Sequence, residues 1–355
     1  MESRVNTLKS FFEKEKLDGY IIADEINILY FTNFLGGARL LVSGEGESVL
    51  YVYGVNYEDA KETARGCRVE LVKMDEDADK KVAEQVKGSR FERVGFDCLD
   101  ASAYLKFAEA LKDVKLKDKE KLIWELRKVK DETELRHMRR AAEQTSEGMK
   151  AAFETIRPGV REYDVAAEIE YTMRGLGSWG VAFDTTVASG VRSAYPHGGG
   201  TDRKIRKGDL VVLDIGAKYQ NYRSDLTRTV TVGKPSPKQA KIHELVREAQ
   251  DRAFQRVRAG VEACDVDAVA RGLIEKEGYG QYFVHSLGHG VGLDIHEPPT
   301  LRPGRKDMLK VGNVVTVEPG IYIVDFGGVR IEDTVLVLKG GAEKLTKCSY
   351  DLRVG

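Results

Sequence analysis

Apolar and polar positions along the chain follow two periods in turn. MESRVNTLKSFFEKEK carries apolar residues at helical spacing, and DGYIIAD is a short apolar run that predicts a buried strand. RLLVSGEGESVLYVYG predicts two strands around a Gly-rich turn. NYEDAKETA predicts a helix, and RVGFD another short strand. This alternation predicts a small α/β domain over residues 1–125, with no His, Asp or Glu cluster of catalytic type. Residues 119–155 are strongly helical and charged, and their charges read as a solvated helix face. They lead into a second domain, 126–355, with no Pro/Gly/Ser-rich linker between the two.

The second domain repeats itself. IRPGVREYDVAAEIEYTMRGLG (156–177) recurs as VRAGVEACDVDAVARGLIEKEG (257–278), 101 residues later. Asp164 and Asp265 stand at equivalent places and are expected to be helix N-caps. GDLVVLDIGA (208–217) then matches GNVVTVEPGI (312–321), and each copy continues into a second strand, SDLTRTVTV or RIEDTVLVL. Two copies in one order at nearly one offset predict a pseudo-twofold domain. Each half should carry helices and a strand pair.

Composition narrows the function. The 355 residues have a net charge of −1, which argues against a surface built for nucleic acid or anionic lipid. No apolar run reaches the ~18–20 residues of a membrane span, and the charged N-terminus lacks a signal-peptide core. The four cysteines are scattered with no C-x-x-C pair, so no disulfide framework or thiolate zinc site is expected. A cytoplasmic protein is the expectation.

The candidate chemistry lies in the strands of the repeat. Asp214 interrupts the apolar GDLVVLDIGA, and Glu318 interrupts NVVTVEPGIYIV at the equivalent place. The second strands each carry one more acid, Asp225 in SDLTRT and Glu332 in VRIEDT, where alternation puts Asp225, Thr227 and Thr229 on one face and Arg330, Glu332 and Thr334 on one face. A carboxylate in a strand core costs several kcal/mol unless paired, protonated or bound to metal. Any one of them could be salt-bridged, with Arg228 or Arg330 as partner. Four acids paired by an internal repeat point instead to a shared cation near the twofold axis.

Histidines complete the set. His289 sits between Gly288 and Gly290, flanked by His285 and His296, and His197 lies in the Gly-rich SAYPHGGG. His137 and His243 sit on charged helices and read as surface residues. Four oxygen ligands and one imidazole suit divalent Mn, Co or Fe better than a structural zinc. Five protein ligands fit two carboxylate-bridged ions better than one. No H-E-x-x-H, G-x-S-x-G or P-loop competes.

LDIGAKYQNYRSDLTRT, HSLGHGVGLDIHEPP, TVEPGIYI and GGVRIEDT resemble, in order and spacing, the motifs of the pita-bread metallopeptidases. The N-terminal part, with INILYFTNF, is similar to that of prolidase, aminopeptidase P and creatinase. The resemblance implies a small creatinase-like α/β domain followed by a pseudo-twofold pita-bread catalytic domain, an α/β (α+β) protein. It implies a two-metal exopeptidase cutting between an N-terminal residue and proline, with Mn or Co as the first expectation and Fe or Zn sharing the set. Asp214 would chelate one ion, His289 and Glu318 the other, and Asp225 and Glu332 would bridge. Glu318 would also shuttle the proton, His197 would contact substrate near the scissile amide, and His296 would stabilise the oxyanion. His285 would line the substrate pocket or pack behind it, and Arg330 would orient the carboxylates at the pocket. The implied partner is a short peptide with proline second, and the implied assembly is a homodimer; no nucleic acid or membrane is expected.

Some prolidases carry an Arg after the H-E-x-P segment that grips a dipeptide's carboxylate. Thr300 stands there in this chain, with Arg302 and Arg305 as the nearest cations in sequence. This leaves Xaa-Pro dipeptidase and Xaa-Pro aminopeptidase on longer peptides as alternatives. A metal-free creatinase-like amidinohydrolase and a non-catalytic peptide-binding module are the rivals, and the complete ligand set speaks against both.

Overall fold

A computed structural model describes residues 4–354. The chain divides after Arg127 into two compact units. The first opens with helices α1 (Arg4–Lys9) and α2 (Phe12–Glu15), then strand β1 (Gly19–Ile22) and helix α3 (Glu25–Thr32). Strands β2 (Arg39–Ser43) and β3 (Val49–Tyr53), helix α4 (Gly54–Thr63), β4 (Arg68–Val72) and α5 (Ala78–Gly88) follow. The unit closes with β5 (Arg93–Phe96), α6 (Ala101–Ala110), β6 (Lys115–Asp118) and α7 (Glu120–Arg127). Its six strands form one mixed sheet in the order β4-β3-β2-β1-β5-β6. The N-terminal stretch with helical spacing forms two short helices, separated by a turn at Ser10–Phe11. Alternating burial on α5 lays Val82, Ala83 and Val86 on Ile21, Leu41 and Val94 of the sheet.

The second unit is built twice. The first half has helices α8 (Glu132–Thr155) and α9 (Glu162–Gly175), then β7 (Thr186–Ser189), β8 (Leu210–Ile215), the short pair β9 (Lys218–Tyr219) and β10 (Tyr222–Arg223), and β11 (Leu226–Val232). The second half has α10 (Pro237–Arg256), α11 (Ala263–Lys276), β12 (Gly288–Gly290), β13 (Glu297–Leu301) and β14 (Val314–Val317). Hairpin β15 (Gly320–Ile323)–β16 (Gly327–Arg330) and β17 (Asp333–Val337), β18 (Ala342–Lys344) and β19 (Arg353–Val354) complete it. The antiparallel run β7-β8-β11 of one sheet answers β12-β14-β17 of the other. Each half has its own core: Val165, Ile169, Leu213 and Val230 in the first, and Val266, Ile274, Val315 and Val335 in the second.

The repeat extends to backbone conformation. Gly159 and Gly260 both adopt positive φ, +93° and +82°, at the turn before α9 and α11, a conformation that disfavours a Cβ. Bridges Arg161↔Lys204 and Glu262↔Met308 then tie each turn back to the sheet side. Arg161 and Glu262 are therefore the N-caps, and Asp164 and Asp265 lie three residues inside. Asp164 still serves the helix start, accepting the Arg161 N–H at 3.3 Å from its position in the first turn.

Three charges of the 119–155 stretch are buried, against the solvated reading. Arg127 donates to Asn27 Oδ1 at 2.7 Å and stacks on Trp124. Lys130 pairs with Glu297 at 3.0 Å, both side chains 1% exposed. Glu134 accepts from the Tyr222 hydroxyl at 3.0 Å. Two histidines also differ from expectation: His137 is half-buried and stacks on Tyr222, and His243 is 6% exposed, because the inward face of α10 includes it.

Candidate metal centre

The strand register brings the four acids together. Asp214, near the end of β8, sits opposite Thr227 of β11, and Asp225 immediately precedes β11. Glu318 follows β14, and Glu332 immediately precedes β17. Each half thus supplies one acid at a strand end and one at the start of its antiparallel neighbour. The halves are stitched at this seam. Glu332 N–H donates to Thr227 O at 3.1 Å, and Thr334 Oγ1 donates to Asp225 O at 2.8 Å. Thr227 Oγ1 donates to Glu332 Oε2 at 2.7 Å.

His289 reaches the acids because its neighbours have no side chains. A Cβ on Gly288 would meet Thr316 O at 2.0 Å, and one on Gly290 would meet Pro298 O at 2.5 Å. The His289 N–H donates to Thr316 Oγ1 at 3.0 Å, and that hydroxyl donates to Glu318 Oε1 at 3.0 Å. Ring Nδ1 lies 3.0 Å from Gly290 O, so it carries the hydrogen of the neutral ring. Nε2 then faces Glu318 Oε1 at 3.2 Å and Asp225 Oδ2 at 3.7 Å. A backbone carbonyl orienting one nitrogen while the other faces carboxylates is the arrangement of a metal-binding imidazole.

Arg330 donates to Asp214 Oδ2 at 2.6 Å, to the Tyr322 hydroxyl at 2.7 Å and to Thr227 Oγ1 at 3.1 Å. Tyr322 continues to His285 Nε2 at 3.0 Å, and His285 Nδ1 lies 2.8 Å from Ser286 O. Of the two arginines considered as carboxylate partners, Arg330 takes Asp214. Arg228 pairs with Asp333 at 2.9 Å and donates to the Thr227 carbonyl at 3.0 Å.

All nine candidate residues (His197, Asp214, Asp225, His285, His289, His296, Glu318, Arg330 and Glu332) line one cavity of about 680 Å³. His296 packs edge-on against His289 with ring centroids 4.4 Å apart. His197 is exposed, in the loop after β7. Phe183, Ile295 and Thr300 also line the cavity, whereas Arg302 and Arg305 are exposed and do not. The sequence reading missed Tyr322 and Thr316, which orient Arg330, His285, His289 and Glu318. Within GIYIV and NVVTV they look like ordinary strand residues, and nothing in the sequence marks them.

The electrostatics are those of an anionic cluster closed by histidine. Burial, then the charge of Asp214, pushes the Asp225 carboxyl well up, and burial followed by Asp225 does the same to Glu332. Burial would raise Glu318 too, but the hydrogen bond and charge of His289 outweigh it and bring it down to about 2. Burial would lower His289, yet Glu318 and Asp225 bring it up to about 9. Burial lowers His285 and His296.

The donor set fits divalent ions. Asp214 Oδ1 and Glu332 Oε1 are buried without a hydrogen-bond partner, and a buried acceptor without a donor is costly. Ligand atoms of Asp225, His289 and Glu332 lie within 4.8 Å of one another. Carboxylates dominate and no thiolate takes part, which suits hard and intermediate cations.

The fold and this cluster define a metallopeptidase of the pita-bread kind. Residues 136–339 match the model of metallopeptidase family M24, and residues 4–129 match the creatinase/prolidase N-terminal domain. The chain belongs to metallopeptidase family M24. It is 43% identical over 355 residues to an Xaa-Pro dipeptidase of Pyrococcus furiosus, covering 99% of this chain and all of that one. The prolidase structure from Pyrococcus horikoshii superposes with a TM-score of 0.92 at 39% identity, covering 98% of this chain and 99% of that one. An X-Pro aminopeptidase structure from Thermotoga maritima gives 0.91 at 35% identity, covering 99% of each chain. Among the described residues no helix is long and apolar enough to cross a membrane.

Proposed function

We propose that this chain is an Xaa-Pro dipeptidase, hydrolysing the bond between an N-terminal residue and proline. The observation that carries the reading is the convergence of Asp214, Asp225, His289, Glu318 and Glu332 in one cavity, with two buried carboxylate oxygens lacking donors. Asp214, Asp225, His289, Glu318 and Glu332 would together hold two divalent ions. Mn or Co is the preferred metal, with Fe and Zn able to use the same ligands. When bound, such ions lower the pKa of a shared water and polarise a carbonyl.

The chain's own groups do the rest. Thr316 fixes Glu318 through a hydrogen bond to its Oε1, and the Glu318 carboxylate would take the water's proton and deliver it to the departing proline nitrogen. His296 stabilises the oxyanion, and His197 contacts the substrate beside the scissile amide. Arg330 holds Asp214 in place, and the Tyr322–His285 chain holds Arg330.

One observation favours some activity on longer peptides. Thr300 lines the cavity, and among the described residues Arg330 is the only arginine that does, with Arg302 and Arg305 outside it. The reading includes a homodimer, as the resemblance implies. It also includes a cytoplasmic location, which four free cysteines support.

The test is a panel of Xaa-Pro dipeptides and Xaa-Pro-Yaa tripeptides on chelator-treated and Mn- or Co-reconstituted protein. Chelation is expected to abolish hydrolysis and either metal to restore it. Full activity of thoroughly stripped protein would refute the metal assignment.

A further inference from the structure

Glu162 opens α9 and is fully buried, yet it belongs to no part of the centre described above. Its Oε1 accepts from the Ser189 N–H at 2.8 Å and the Ser189 hydroxyl at 2.7 Å. Its Oε2 accepts from the Thr201 N–H at 3.0 Å, the Thr201 hydroxyl at 2.6 Å and Arg192 Nε at 3.3 Å. Five donors saturate a carboxylate. Ser189 ends β7 and Thr201 closes the loop that follows, so both ends of that loop are fastened to one side chain. Arg192 extends the clamp by donating to the carbonyls of Gly198 and Gly199. The first turn of the loop is also anchored from the sheet side, where Ser193 and Ala194 are buried and the Gly328 N–H donates to Ser193 Oγ at 2.9 Å. Arg330 donates to the Pro196 carbonyl at 3.4 Å. Glu162 supplies the tie between the two ends, across a stretch in which Val191 and Tyr195 are 51% and 55% exposed. Pro196, His197 and Gly199 of this loop line the cavity.

The internal repeat supplies a control. Position 162 corresponds to 263, where the chain has Ala263, equally buried. There α11 starts after the same kind of cap, and the equivalent bridge Glu262↔Met308 forms. Neither the helix start nor the bridge requires a carboxylate. The difference between the halves is what lies next to the residue, and in the first half that is the loop carrying His197.

We propose that Glu162 is a positioning residue for Xaa-Pro hydrolysis, fixing the 190–201 loop so that His197 stands at the cavity. This rests on the peptidase reading above. It is independent of the metal ligands, none of which Glu162 contacts.

The test uses the full-length, Mn-loaded protein with Glu162→Ala, Glu162→Gln, His197→Ala and the double variant Glu162→Ala/His197→Ala. Glu162→Ala is expected to raise KM for a dipeptide such as Ala-Pro by about tenfold to a hundredfold, with a smaller change in kcat and unchanged Mn content. Glu162→Gln retains one acceptor oxygen and should fall between. In the His197→Ala background, Glu162→Ala should change KM by less than about twofold, because both act through one contact. Effects that multiply in the double variant overturn the proposal. Hydrogen exchange gives a readout independent of activity. Peptides across 190–201 should lose protection in Glu162→Ala while those across β8 and β14 keep it, and unchanged loop protection overturns the proposal. If Glu162→Ala does not fold, Thr201→Val enters the same cycle. If the wild type cleaves no Xaa-Pro peptide, the peptidase reading fails on its own, and the exchange result alone decides whether Glu162 holds the loop.

Discussion

Asp225→Asn distinguishes a carboxylate kept for a cation from one kept for the fold. The side chain is 7% exposed, with Oδ2 3.7 Å from His289 Nε2 and a ligand oxygen within 4.8 Å of Glu332. At an effective dielectric of ~20, two like charges 4.8 Å apart repel by about 3 kcal/mol, and the attraction to a protonated His289 is about as large. These nearly cancel, and burial tips the sum against the charged form. The neutral, nearly isosteric amide should therefore leave the metal-free protein within about 1 kcal/mol of wild type, or make it more stable. The metal-loaded protein should behave oppositely. A ligand at about a thousand times its Kd stabilises by roughly 4 kcal/mol, and a hundredfold loss of affinity on removing a charged ligand would take away about 2.7 kcal/mol of that. The assay is thermal unfolding with Mn and with chelator, beside metal content and turnover. The reasoning fails if Asp225→Asn holds two ions with the wild-type Tm shift. It also fails if the metal-free variant is less stable by more than about 2 kcal/mol, which would make Asp225 a structural partner of His289.

Two further outcomes are expected. His243 is buried, and burial, reinforced by the charges of Arg247 and Arg228, brings it down to about 4. Because the unfolded chain binds this proton from about pH 6.5 downward and the folded one does not, stability should fall by about 2 kcal/mol between pH 7.5 and 5. Urea midpoints at the two pH values should show that loss reduced in His243→Leu, and an undiminished slope would contradict it. Thr300→Arg puts a cation in the cavity wall, and should favour Ala-Pro over its tripeptide extension by about tenfold in relative kcat/KM, since pairing a substrate carboxylate is worth a kcal/mol or more; an unchanged ratio would mean that the wall at Thr300 does not meet the carboxylate.

What the sequence made readable was whatever repeats or violates a pattern. An acid inside a Val-rich strand is conspicuous, so Asp214 and Glu318 stood out, and the repeat tied each to its second acid. His289 stood out because glycine on both sides permits close backbone approach. Residues that obey the pattern were not readable. Tyr322 and Thr316 occupy ordinary strand positions, and their roles arise from which strands become neighbours. His243 was misread because a helix with many charges still has an inward face, and three-dimensional packing decides which positions form it. Lys130 and Glu134 were misread similarly, since a buried charge looks like an exposed one until its partner, Glu297 or Tyr222, is brought from far along the chain.

The twofold relation explains why so many acids can share one place. A single strand pair could offer two carboxylates from one side, and a second copy facing it across the axis doubles the number without new architecture. Symmetry alone gives no chemistry, however, because substrate is asymmetric. The halves differ where asymmetry is required. The strand β12 of the second half carries His289 between glycines, whereas β7 of the first carries the small, apolar Ala188 near the equivalent place. The first half has Glu162 where the second has Ala263, and with it a loop fastened at both ends. The second half instead pins the segment after His296 with the buried Lys130–Glu297 pair. The shared part of the repeat builds the frame and the acids, and the halves part company at His289, Glu162 and Glu297, which place an imidazole beside the acids in one half and tie a cavity-lining loop in the other.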